Sequence, residues 1–238
     1  MKCLIVGLGV FGRNLALHLG QLGAEVVALD RRDDNIAAIK DEVAAAAVID
    51  FGDTAPLTRF PISEMDAVII AIGDDFEASM AFTMRARELG ARRLVCRVLS
   101  PMHARLLRLL KVDRLVVPEE FAARGLAHSL LMRGAVEGID LGSGHALIEA
   151  AVPPALVGQT IAKQAALFRR HEVRLVTLKR PERPLFGGLL KAAPDAPAPV
   201  RTLGTIGLDE PFLNDDILVL FGPEKGLRDF LEAEPDRA

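Results

Sequence analysis

Gly7, Gly9 and Gly12 stand in the spacing G-x-G-x-x-G, and Asp30 follows 18 residues after the last of them. The chemistry open to such a set is the holding of a nucleotide by its phosphates and its ribose. Gly7 permits a tight turn out of a strand, Gly9 lets backbone amides come close to a phosphate, and Gly12 lets a helix pack against a sheet. Leu8, Val10 and Phe11 fill that loop and open the helix, whose N-terminus supplies partial positive charge toward an anion. The Asp30 carboxylate is placed to accept from a ribose hydroxyl and opposes a 2′-phosphate, although Arg31 and Arg32 beside it leave NADP open. The plain alternative for Asp30 is a helix cap. The set predicts an adenine-nucleotide site.

Those residues need a strand before the glycines, a helix after them and a second strand ending at the acid. Residues Lys2–Val6 read as a buried strand, and Phe11, Leu15, Leu19 and Leu22 fall on one face of a helix. Glu25–Leu29, Ala47–Ile49, Ala67–Ile72, Arg93–Cys96 and Arg114–Val117 read as further strands. Asp33 is read as the cap of a short helix running to about Val43, and Ser100-Pro101 as a cap and first-turn pair. Strands alternating with helices predict an α/β fold, a Rossmann-like doubly wound parallel sheet with helices on both faces. Ala71, Ile72 and Gly73 then lie at the carboxyl edge, where open α/β sheets bind ligands. Ala71 and Ile72 could equally be sheet core.

Pro118 ends the sixth strand, and a helix is read over 119–133, with Phe121, Gly125, Leu126, Ser129 and Leu130 on one side. Four glycines between Gly134 and Gly144 read as a linker. A second, smaller α+β domain follows over 139–232. Its strands are read at His145–Val152, Glu172–Lys179 and Ile217–Phe221, and its helices at Gln159–Arg170 and Glu224–Glu232. Six of the fourteen prolines fall within 181–211, which reads as a proline-rich insertion. The first domain is placed at 1–134.

Bulk properties exclude several classes. At 238 residues, half of them hydrophobic, the chain can bury roughly 70–75% of its unfolded surface without a staple. A net charge of −3 gives no footprint for nucleic acid, and the lack of Tyr and Trp argues against base stacking. Cys3 and Cys96 lie in apolar runs and read as buried thiols of a reducing compartment. No run reaches the ~18 apolar residues of a membrane span, and the glycine-broken N-terminus lacks a cleavage site. The chain reads as cytoplasmic.

Several strings together resemble the RCK (regulator of potassium conductance) family, the Trk- and Ktr-type regulatory subunits of potassium uptake. They are Ile-Val-Gly-Leu-Gly-Val-Phe-Gly12, Val-Val-Ala-Leu-Asp30, Asp-Ala-Val-Ile-Ile-Ala-Ile-Gly73 and Val-Asp-Arg-Leu-Val-Val-Pro-Glu119. Pro-Pro-Ala-Leu-Val-Gly158 and Asn-Asp-Asp-Ile-Leu-Val-Leu-Phe-Gly222 extend the likeness into the tail. The resemblance implies a non-enzymatic subunit, peripheral on the inner face of the cell membrane. It would form homodimers that assemble into a ring beneath a membrane-embedded potassium translocator. Exchange of NAD for NADH, or of ATP for ADP, would change the ring's shape.

By the same resemblance, Asp53 and Thr54 contact the adenine, Arg97 approaches a terminal phosphate, and Glu119 holds a divalent cation between subunits. The bland readings are a turn and cap for Asp53 and Thr54, a surface arginine for Arg97, and a dipole-stabilised first-turn acid for Glu119. Triphosphate-binding relatives often place an arginine where this chain has Val10. Arg13 lies at a different helix position, so a dinucleotide is favoured over ATP. Two rival readings remain open: an NAD-dependent oxidoreductase, and the sensor of another cation transporter. The oxidoreductase needs a proton-transfer residue, and none of the five histidines (18, 103, 128, 145, 171) sits in a recognisable catalytic string.

Overall fold

In a computed structural model, residues 1–131, 135–182 and 199–233 are described. The chain divides into two compact units, Met1–Glu119 and Glu120–Ala238.

The first unit is a six-stranded sheet, β1 (Lys2–Val6), β2 (Glu25–Asp30), β3 (Ala45–Val48), β4 (Ala67–Ile70), β5 (Leu94–Arg97) and β6 (Arg114–Val116). Its order is β3-β2-β1-β4-β5-β6, with every pairing parallel. Period-two alternation sends Leu4 and Val6 into the core on one face and Cys3 and Ile5 into the core on the other. Only helices on both faces can cover such strands. They are α1 (Val10–Gln21), α2 (Asp33–Ala37), α3 (Phe76–Glu88) and α4 (Pro101–Leu109). The strand order reverses between β1 and β4, and a crevice opens at that switch point beyond the carboxyl ends.

Ser100 caps α4 as the sequence indicates, its hydroxyl accepting from the His103 N–H at 3.1 Å. Asp75 caps α3, accepting from the Ala78 N–H at 2.9 Å. Asp33 is not a cap: Arg32 takes that position in extended geometry, Asp33 opens the first turn, and α2 stops at Ala37 instead of about Val43. The Arg32 N–H donates to Asp30, so the acid at the end of β2 organises the entry to α2.

The second unit contains α5 (Pro118–Leu131) from Glu120 onward. It also holds β7 (Ala135–Gly142), β8 (His145–Ala151), α6 (Ala165–Arg170), β9 (Arg174–Pro181), β10 (Val200–Thr202), β11 (Ile217–Pro223) and α7 (Glu224–Glu232). Its antiparallel sheet runs β10-β9-β11-β8-β7, backed by a core that includes Phe168, Phe212 and Phe230. This is the α+β unit expected. The glycine-rich stretch read as a linker is instead strand β7. Register shifts beside Glu137 and Gly142 break its alternation, which is why the pattern does not show in the sequence. Ser143 and Gly144, both at positive φ, make the two-residue turn into β8.

The helix expected over Gln159–Arg170 forms only from Ala165. Before it, the Ala162 N–H donates to the Leu208 carbonyl, the Gln159 carbonyl accepts from the Phe212 N–H and Thr160 bridges to Pro211, so backbone groups a helix would use are spent on the 207–212 segment. The centre of the proline-rich insertion, 183–198, and the end of the helix read to residue 133 lie outside the described residues.

Candidate functional site

The site is built on the loop leaving β1. Gly7 sits at φ +97°, and a Cβ there would lie 2.7 Å from the Ile72 nitrogen, so the turn demands glycine on two counts. A Cβ on Gly12 would collide with the Gly7 carbonyl oxygen, which fixes how tightly α1 packs on the loop. Gly9 differs: nothing lies within 4 Å of where its Cβ would stand. The space beside it belongs to a cleft of about 400 Å³ at the carboxyl edge of the sheet.

Of the residues singled out in the sequence, Gly7, Leu8, Gly9, Val10, Asp30, Arg31, Ala71, Ile72, Gly73 and Arg97 line this cleft. Phe11 packs partly buried against the core, and Gly12 lies beneath the loop. Asp53 and Thr54 fall outside the lining. Asp53 accepts from the Ala55 N–H at 2.8 Å, and Thr54 precedes a short 3-10 helix, so both serve the turn after β3. The cleft is lined beyond β3 by Phe51 instead, a residue not picked from the sequence, with the Arg31 guanidinium 5.6 Å over its ring. An apolar residue one step beyond a strand carries no sequence signal distinguishing a stacking wall from core.

Asp30 is 4% exposed and accepts three hydrogen bonds. Its Oδ2 accepts from the Leu8 N–H at 2.5 Å, and its Oδ1 from the Arg32 N–H at 2.8 Å and the Asn35 amide at 3.0 Å. The carboxylate thus ties the glycine loop to the entry of α2, and Oδ2, which accepts a single bond, retains acceptor capacity. Arg31 reaches across the mouth to Asp74 at 2.8 Å and Asp75 at 3.6 Å.

Arg97, at the end of β5, presses its guanidinium against Gly73, where any side chain would strike it. It is paired with Glu119 in the first turn of α5, while its buried Nε finds no partner. The Glu119 carboxyl is held below its ordinary value, chiefly by its own backbone N–H and then by Arg97. Beside it in β5, burial pushes the Cys96 thiol up to about 11, so that cysteine stays protonated and inert.

The arrangement fits an adenine nucleotide. There is a glycine cradle with open space at Gly9, an acid with spare acceptor capacity, and a cation with an unmet donor at the far side. None of the lining residues is His, Lys, Cys, Ser or Tyr. Among the described residues no group of three or more His, Cys, Asp or Glu side chains is arranged to hold a metal. No described helix is long and apolar enough to cross a membrane.

Comparison with known proteins agrees with this geometry. Residues 3–118 match the model of the TrkA-N domain. Ktr system potassium uptake protein A of Vibrio alginolyticus is 28% identical over 229 residues, covering 96% of each chain. The Trk system potassium uptake protein TrkA homolog of Methanothermobacter thermautotrophicus is 30% identical over 150 residues, 62% of this chain and 68% of that one. Among solved structures, the GsuK channel bound to NAD superposes with a TM-score of 0.59 at 15% identity. That superposition covers 99% of this chain but only 40% of the channel, and it speaks for the fold.

Proposed function

The chain belongs to the RCK family of TrkA- and Ktr-type potassium-uptake regulators, and on that premise we propose that it is a nucleotide-sensing regulatory subunit that gates a membrane potassium translocator. The observation that carries the reading is the cleft at the switch point, open beside Gly9 and bounded by Asp30 and Arg97. The glycine-loop amides and the α1 N-terminus would hold phosphates, and Asp30 would accept from ribose. Phe51 and Arg31 would wall the adenine. NAD or NADH is favoured over ATP or ADP because Val10 stands where triphosphate-binding relatives often place an arginine. An oxidoreductase is the weaker reading, since the lining supplies no histidine or lysine to move a proton.

Signalling follows from Arg97. Its partner Glu119 belongs to the first turn of α5, so a phosphate that draws the Arg97 guanidinium away would release the acid that opens this helix. Occupancy and the state of α5 are then one equilibrium, and a nucleotide shifts it only by binding one state better than the other. Phe121 and Leu130 on α5, 74% and 77% exposed, offer an apolar face to a second copy, through which dimers would build a ring at the inner membrane face. A divalent cation at Glu119 would need the carboxylate to leave Arg97 and further ligands from that second copy. The domain assignment is 1–134 for the sensing half and 139–232 for the C-terminal half.

Small-angle scattering of the full chain saturated with NADH and then with NAD, and likewise with ATP and ADP, tests the switch. Distinct curves within one pair are expected. Superimposable curves for all four, at saturation verified by dialysis, would refute gating by nucleotide exchange.

A further inference from the structure

Four guanidinium groups line the cleft: Arg13, Arg31, Arg32 and Arg97. Three have counter-ions. Arg31 faces Asp74 and Asp75, Arg32 lies 3.8 Å from Asp34, and Arg97 holds Glu119. Among the described residues, the Arg13 side chain makes no ion pair or hydrogen bond. It stands in the first turn of α1, which contains no acidic residue, so the helix dipole opposes its charge instead of balancing it. A cation in that position is answered by an anion placed over the same helix end. The open volume beside Gly9, four residues earlier, is where such an anion fits.

We propose that Arg13 is the specificity-determining residue that reads phosphate charge in this cleft, selecting a pyrophosphate-bearing adenine nucleotide over its nucleoside. The inference rests on the nucleotide reading and adds to it the residue that discriminates. The charges of Arg31 and Arg97 are already answered by carboxylates, whereas Arg13 has no ion pair among the described residues to share. Its planar fork suits two oxygens of one pyrophosphate, a match that a lysine ammonium reproduces only in charge. The pyrophosphate is common to a dinucleotide and to a nucleoside diphosphate, and the identity of the source lies in what extends beyond it.

Equilibrium dialysis of adenosine, ADP and NADH against the full chain, Arg13→Gln and Arg13→Lys tests the assignment. Arg13→Gln should weaken ADP and NADH by about tenfold or more, the loss of a charge-assisted contact, and leave adenosine within about twofold. Arg13→Lys should recover part of the loss, and thermal melting of both variants should match the parent. The larger loss, on NADH or on ADP, identifies the source of the pyrophosphate. An unchanged affinity of Arg13→Gln for both ADP and NADH would overturn the proposal while leaving the nucleotide site intact. An equal loss for adenosine would also overturn it, by making Arg13 a general support. Failure of the parent to bind any of the three would instead remove the nucleotide reading beneath it.

Discussion

Replacing Asp30 by alanine should cost stability as well as nucleotide binding. The carboxylate is 4% exposed and accepts from the Leu8 N–H at 2.5 Å, the Arg32 N–H at 2.8 Å and the Asn35 amide at 3.0 Å. Alanine leaves all three donors without this acceptor. Water can reach the Arg32 and Asn35 groups at the edge of the cleft, but the buried Leu8 N–H is poorly placed to recover a partner. Hydrogen bonds to an ionised group contribute about 1.5–3 kcal/mol each, and partial resolvation offsets part of the sum, giving a net loss of about 2–4 kcal/mol. For a unit of this size that lowers Tm by roughly 8–16 °C. Differential scanning calorimetry of the parent and Asp30→Ala, each with and without saturating NADH, measures both effects. The ligand should raise the parent's transition and leave the variant's unmoved. A variant that melts within about 2 °C of the parent would refute the view that Asp30 holds the glycine loop to α2.

Gly9 and Gly12, three residues apart, should behave oppositely. Gly9→Ala adds a methyl to open space at an ordinary φ of −59°, so its stability should stay within about 0.5 kcal/mol of the parent while nucleotide affinity falls. Gly12→Ala collides with the Gly7 carbonyl and should abolish the cooperative melt of the first unit; equal melting of the two variants contradicts the packing described. Glu119→Gln frees Arg97 and should tighten ADP binding about two- to fivefold, the range set by a partly exposed ion pair. Calorimetric titration reads this, and weakened binding that appears only with magnesium would place a cation at Glu119 instead.

His103 supplies a pH test. Its Nδ1 accepts from the Leu99 N–H at 3.2 Å and its Nε2 lies 3.4 Å from the Ser79 hydroxyl, an arrangement for the neutral ring, and burial lowers its pKa below 6.5. As pH falls below 6.5 the unfolded chain takes the proton first, so the stabilisation present above that pH drains away toward the folded pKa. Urea unfolding from pH 7.5 to 5 should show a steeper loss in the parent than in His103→Gln. Parallel curves would mean that the ring is not held neutral.

The parallel sheet was legible because its signals are local. Runs such as Cys3–Val6 are apolar throughout, as strands covered on both faces must be, and the glycine spacing prescribes the turn that follows. The site was legible where backbone geometry chooses the residue, at Gly7, Gly12 and Asp30. It was illegible where a side chain acts through tertiary placement. Phe51 walls the cleft and Asp74 holds Arg31, yet neither stands in a motif. Asp53 and Thr54 carry a turn signature that suits a cap and a ligand equally, and the hydrogen bond to Ala55 shows what Asp53 does in the turn. In the second unit, β7 escaped detection because bulges erase its alternation. The helix expected over Gln159–Arg170 starts only at Ala165 because long-range bonds to the 207–212 segment claim the backbone before it.

The central claim is that the cleft binds an adenine nucleotide and distinguishes its states. Calorimetric titration of the full chain with NADH, NAD, ATP and ADP, each with and without magnesium, measures it directly. Saturable binding at one site per chain is expected, with unequal affinities within at least one pair and no chemical turnover of the ligand. Absence of heat and of binding for all four nucleotides would contradict it.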